Sequence, residues 1–455
     1  MHHQSTRQAP SHAGRAGWTG QSLARAFDPR SNSLGFLRFA FAVGVLVDHS
    51  FDLGGFHNHL DPMWQWTLGQ ESIAGFAVGG FFVISGFLIT RSFMSSRSAG
   101  NFMWRRFLRI FPGFWVCLVV TAFVFAPLVW WHVHGSTAGF THAQPGPLGY
   151  VFHNFWLWMN QYGIAGLLAT TPNYVFGHSL AFNGSLWTLI YEFKCYLGVA
   201  VLGLFGVLRK GRVVVLGLAV FLWGIQLVNT MVPGSAVRLA PLLGDVQLVR
   251  LTLFFAIGSA MCLYSEKIVI SNTFAAFAAA ALVFSLRNQL YTAIGEVAFA
   301  YLVMWLATAL PLARFDSRGD FSYGIYIYAF PVEQMLSAWK FNRQGFVPYI
   351  AVSLAITLVL AVASWFAIER PCLTLKNMTL KRLRPTGWIP TGLRPADISP
   401  TPDRIDGVGR PRSGPGSRSR RELRWAGAGF RALRPGTARR RSMGAGAGPV
   451  DEPRA

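Results

Sequence analysis

The chain has 455 residues, of which 52% are hydrophobic and only 13% charged, and it carries a formal net charge of +22. An ordinary soluble domain holds about 25% charged residues, so composition excludes a single water-soluble globule. The charge is also uneven: residues 371–455 hold 18 Lys and Arg against 6 Asp and Glu, which is +12, whereas 34–368 is a succession of apolar runs broken by short polar links.

The first 30 residues are polar and basic. They lack the short apolar core of a signal peptide, so the expectation is an uncleaved cytoplasmic segment over 1–33. Beyond it, runs near 20 residues have the length of a bilayer-crossing helix. Lipid offers the backbone no partner, so such runs must be helical. Ten crossings are predicted: 34–53, 72–91, 110–131, 184–207, 213–231, 246–264, 268–285, 291–311, 322–339 and 346–368. Pro112 is read as the start of the third. The fold class expected is all-α, a polytopic membrane protein with a membrane domain over 34–371 and a tail over 372–455.

Loops 54–71 and 132–183 contain no Lys or Arg, while Arg7, Arg15, Arg25, Arg30, Arg91, Arg97, Arg105, Arg106, Arg109, Arg209, Lys210 and Arg212 fall on the opposite side. The positive-inside rule then puts both termini in the cytoplasm. The tail, rich in Gly, Pro, Ser and Arg, reads as disordered and as resting on anionic lipid rather than binding nucleic acid. Cys117, Cys195, Cys262 and Cys372 have neither CxxC nor metal-ligand spacing, so no disulfide and no metal site is expected.

Ionisable residues within a membrane helix are costly and mark candidate sites. The first helix carries Arg38, Asp48 and His49. Arg38 and His49 are 11 residues apart, about three turns, so they share one face at roughly 16 Å along the axis. Histidine titrates near neutrality and suits general-base work. The second helix ends in a stretch with Gly79, Gly80, Ser85 and Gly86, where the glycines suit close helix approach and Ser85 could turn to a ligand. Arg106 and Arg109 lie on one helical face before Pro112, where guanidinium forks match phosphate. Glu192, in the run Asn183 to Glu192, needs a partner or a proton, and Ser322 to Pro331, Glu333 and Glu369-Arg370-Pro371 complete the set.

In order, these motifs resemble the membrane-bound acyltransferase family 3, which includes bacterial O-antigen and exopolysaccharide O-acetylases and the acetylase of nodulation factors. The matching residues are Arg38 and His49 (arginine, ten residues, histidine), Phe81-Phe82-Val83-Ile84-Ser85-Gly86-Phe87-Leu88, Arg106/Arg109/Pro112, Ser185 to Glu192 with Thr188 for the usual serine, Ser322 to Pro331, and Glu369-Arg370-Pro371. The resemblance spans roughly Leu34 to Pro371. One position departs: the family histidine of the ninth helix is Ala329, so no role of that histidine carries over.

The resemblance implies an O-acyltransferase of the inner membrane. Its donor would be cytoplasmic acyl-coenzyme A (acyl-CoA), most often acetyl-CoA, and its acceptor a hydroxyl of an envelope glycan or glycolipid, with no tightly bound cofactor. On this reading Arg106 and Arg109 hold donor phosphates, and Arg38 steadies the pantetheine arm or polarises the thioester. His49 takes the acceptor proton or relays the acyl group, and Ser85, Trp187, Glu192 and Tyr323 shape the acceptor pocket. The aromatic segment Tyr150 to Tyr162 fits an interfacial anchor or a sugar guide. The competing class is a transporter of a small metabolite or lipid-linked glycan, against which stands the lack of repeat symmetry between the halves.

Overall fold

The computed structural model describes residues 20–377, apart from 97, 240 and 316–318. Arg7, Arg15, Arg97 and the basic tail from 378 onward lie outside the described residues. Ten helices carry the predicted crossings: α1 Leu34–Gly54, α2 Ile73–Met94, α3 Ala99–His134, α4 Ser185–Leu204, α5 Arg212–Met231, α6 Val246–Leu263, α7 Asn272–Arg287, α8 Tyr291–Ala309, α9 Ser322–Ala338 and α10 Phe346–Thr374. Among the described residues eight of these are long and apolar enough to cross a bilayer. The other two are α7, with 16 residues, and α9, with 17. The chain is an all-α polytopic membrane protein.

Local chemistry sets the helix starts. Ser72, Ser98, Asp245 and Ser271 each accept a hydrogen bond from a backbone N–H in the first turn of α2, α3, α6 and α7, which satisfies a donor that a helix start otherwise leaves unpaired. Gly55 closes α1 in the left-handed conformation, φ 74°.

The expectation that Pro112 opens the third helix is corrected. The helix begins thirteen residues earlier at Ala99 and runs through Pro112 and a π-turn at Thr121–Phe125 to His134. A buried helix accommodates proline where neighbouring groups satisfy the disturbed backbone. The carbonyl left without its helical donor by Pro112 is that of Leu108, four residues back; two residues on, the Tyr323 hydroxyl donates to the Ile110 carbonyl at 2.6 Å and ties α9 to this turn.

The central seam is α2 against α6. A Cβ on Gly86 would lie 2.0 Å from the Phe255 carbonyl oxygen, and one on Gly258 would lie 2.1 Å from that of Val83. Each helix therefore presents a glycine to the other's backbone, as small residues do where membrane helices meet. Asp48 joins α1 to the same seam by accepting from the Ala74 N–H at 3.0 Å.

Two features have no counterpart in the sequence reading. The entry segment is docked rather than loose. Gln21–Ser22 (β1) pairs antiparallel with Val269–Ile270 (β2), and Leu23 and Phe27 are buried, Phe27 edge-on to Phe87. The 135–183 connection is also folded, with helices at Pro147–Asn154 and Pro172–Gly177. Its last residues run along α9: Gln334 Nε2 donates to the Ala181 carbonyl, and Asn183 Nδ2 to that of Ile327.

A reporter active only outside the cytoplasm is expected to be active when fused after residue 160 and silent after residue 210. The basis is the absence of Lys and Arg from 132–183 beside Arg209, Lys210 and Arg212. The reverse pattern would invert the assigned sides.

Candidate active site

A cavity of about 850 Å³, counting its mouth, opens between α1, α2, α3, α4 and α9. Arg38, Ser85, Arg106, Arg109, Glu192 and Tyr323 all line it. Six of the eight candidate residues, remote in sequence, thus share one chamber.

Its charges are organised by a residue that the sequence reading passed over. Asp320, just before α9, bridges Arg38 and lies 2.5 Å from Arg109 Nη2. Its other oxygen accepts from the Ser322 hydroxyl at 2.5 Å. Burial works against a charge on Asp320, but the two guanidiniums outweigh it and hold the carboxyl below the ordinary carboxylate range. Glu369 of the Glu-Arg-Pro stop lies 3.7 Å from Arg109. A signal for this was present: three arginines on membrane helices require counter-charges, and acids are scarce in this chain.

Arg106 differs from its neighbour. It has no carboxylate within ion-pair distance among the described residues. It packs over the rings of Phe102 at 5.8 Å and Tyr196 at 6.0 Å, and its buried Nε has no hydrogen-bond partner. Arg109 is held by two carboxylates and Arg106 by none, so the expected twin clamp is two unlike cations. Glu192 faces the same space, accepting from Ser85 Oγ at 2.9 Å and from the Tyr196 hydroxyl.

His49 is not in this chamber. It lines a second cavity with Asp52, Tyr162, Asn173, Ser179 and Phe330. Its ring stands edge-on to Phe330 at 5.1 Å, and among the described residues no protein group hydrogen-bonds its nitrogens. Between the cavities lies a layer of side chains built on α9. Tyr326 reaches Thr188 Oγ1 at 2.5 Å and donates to the Ser185 carbonyl at 2.8 Å. One turn further along, Phe330 wedges against Gly184, where a Cβ would meet the ring at 2.6 Å. Trp187 lines a third space with Trp158, Tyr162, Tyr191 and Lys194, apart from Ser85, Glu192 and Tyr323. Ala329, at the departure from the motif, is buried in α9.

A continuous helix face therefore offers a cation to one cavity and an imidazole to another, about 16 Å apart along α1. Residues 31–366 match the family described as "Acyltransferase domain". The chain belongs to this acyltransferase family.

Two relatives extend the match. An O-acetyl transferase of Shigella phage Sf6 is 31% identical over 366 residues, covering 77% of this chain and 98% of that protein. Nodulation protein 10 of Rhizobium leguminosarum bv. viciae is 28% identical over 372 residues, covering 77% of this chain and 95% of that one. No solved structure matches. The acyltransferase match takes in Arg38, His49, the arginine pair of α3, Glu192 and Asp320 alike, and ends at Phe366, inside α10.

Proposed function

We propose that this acyltransferase moves an acetyl group from acetyl-CoA, entering the Arg38 chamber from the cytoplasm of a bacterial cell, to a hydroxyl of an envelope glycan in the His49 cavity across the inner membrane. The observation that carries the reading is the pair of cavities on one face of α1, lined by arginines at one end and holding at the other an imidazole with no protein hydrogen bond among the described residues. The Shigella phage relative, named an O-acetyl transferase, supports acetyl as the group and oxygen as the acceptor atom.

In this scheme Arg106, the cation without a carboxylate, takes the donor's phosphates. Guanidinium forks fit phosphate oxygens, and a partly dry site strengthens the contact. Arg38 and Arg109, fixed in place by Asp320 and Glu369, present guanidinium N–H donors to the donor's pantetheine arm. The acyl end passes the Tyr326–Phe330 layer to reach His49. His49 withdraws the acceptor proton, the hydroxyl oxygen attacks the thioester carbon, the carbon–sulfur bond breaks, and the coenzyme leaves as a thiol carrying the proton. Asp52, on the same cavity wall one turn from His49, keeps that wall polar for a sugar.

The test is transfer of radiolabel from acetyl-CoA to envelope glycan in isolated membranes. Arg106→Ala is expected to raise the apparent KM for acetyl-CoA by about tenfold or more, the scale of one lost charge-assisted contact, with kcat less affected. Wild-type membranes that took no label yet moved a glycan across would favour a transporter.

A further inference from the structure

Lys194 is a cation on a membrane-spanning helix that the transfer scheme does not use. Its ammonium lies 5.0 Å from the rings of both Trp158 and Tyr191, and no carboxylate is within ion-pair distance among the described residues. Nearby Asp245 is engaged elsewhere: it caps α6 and accepts from the Tyr191 hydroxyl at 2.8 Å. A lysine held over aromatic rings inside the membrane is costly without an anion, because cation–π contact replaces only part of its hydration.

Lys194 also stands at a junction. On one side is a groove of about 890 Å³ between α4, α5 and α6, lined almost wholly by aliphatic carbon, including Val199, Leu202, Leu208, Val215 and Leu222. On the other is the aromatic space of Trp158, Tyr162 and Trp187. Lys194 lines both, and Tyr162 belongs to both the aromatic space and the His49 cavity. The order is therefore hydrocarbon groove, single cation, aromatic shelf, imidazole.

We infer that this series binds the acceptor as a glycan carried on a long-chain lipid phosphate. The hydrocarbon chain lies in the groove, the phosphate on Lys194, and the sugars run over the aromatic shelf toward His49. A plain phospholipid would meet the groove and the lysine but would have nothing to place on the shelf. An uncharged lipid would leave the lysine unpaired. The inference rests on the acyl-transfer reading for what happens at His49, but not for the binding itself.

The experiment is native mass spectrometry of the full-length protein in detergent with three probes: a long-chain polyprenyl phosphate carrying a sugar, the matching uncharged polyprenyl glycoside, and phosphatidylglycerol. Wild type is expected to retain the polyprenyl phosphate over both others. Lys194→Gln should weaken that retention by about tenfold or more, the scale of a hydrogen bond to a charged group, and Lys194→Arg should restore it. Gly198 lines the groove, and a Cβ there meets nothing within 4 Å. Gly198→Phe should therefore fill the groove without a backbone clash and lower retention with the lysine intact. Equal retention of all three lipids, or retention unchanged in Lys194→Gln, overturns the site. Wild type that binds the polyprenyl phosphate but takes no label from acetyl-CoA keeps the site and sinks the transfer reading. Transfer of label without any preference for the phosphate does the reverse.

Discussion

His49→Ala is expected to lower acyl transfer by about 10² to 10⁴-fold, the range for loss of a positioned general base, while the protein accumulates in membranes at its normal level. Both halves follow from the surroundings of the side chain. The imidazole packs against Phe330 and has no protein hydrogen bond among the described residues, so removing it strands no buried partner. Alanine is also a strong helix former, so α1 keeps its backbone. The loss would then fall on chemistry rather than folding. His49→Gln sharpens the point, since an amide fills similar space and hydrogen-bonds but does not take a proton near neutrality. Membrane-embedded His49→Ala protein that transferred label at the wild-type rate would reduce His49 to a cavity-lining residue.

Asp320→Asn is the second large effect. The amide oxygen can still accept from the Ser322 hydroxyl, so the turn into α9 survives, but the charge that faces Arg38 and Arg109 is gone. Removing one member of a buried pair costs about 3–5 kcal/mol when both are enclosed. Arg38 is 25% exposed and Asp320 17%, so about 2–3 kcal/mol is the better expectation here once water screens part of the loss. That cost falls on stability; transfer should also drop, by roughly 10²-fold, as the two guanidiniums move apart and lose their fixed positions in the chamber, a loss on the scale of one preorganised electrostatic contact. Asp320→Glu keeps the charge on a longer arm and should recover part of the rate. Single-turnover transfer in membranes, normalised to protein level, measures both variants. A full rate in Asp320→Asn would mean that the arginines hold their places without it, through Glu369 and the packing of α3.

Eight of the ten helices were legible because each is a long apolar run, and length with hydropathy needs no knowledge of neighbours; α7 and α9 are shorter and rested on the breaks around them. The Arg38/His49 stripe was legible for a related reason: α1 is unbroken, so periodicity alone fixes which residues share a face. The grouping of the other candidates was not. Trp187 and Glu192 were read as one pocket, yet about 140° separates them around a helix, enough to send them to different spaces. The arithmetic was within reach of the sequence. What sequence could not supply was the path of residues 181–184, which run along α9 before α4 begins and so decide which space each side meets. Asp320 escaped notice because its meaning lies in partners more than 200 residues away, and Pro112 was misread because helix-start statistics from water do not transfer to a buried helix.

The entry segment has a consequence for biosynthesis. Gln21 pairs with Ile270, Leu23 donates its N–H to the Ile268 carbonyl, and Ser33 Oγ donates to the Leu310 carbonyl. The crossing α1 is thus fastened by residues that emerge after five or more later crossings have entered the bilayer. Until then α1, with Arg38 and His49 on it, must wait in the membrane without its final neighbours, and insertion order and assembly order part company. A nascent chain arrested before residue 270 should therefore expose the 20–33 stretch to protease, and one released after residue 310 should protect it.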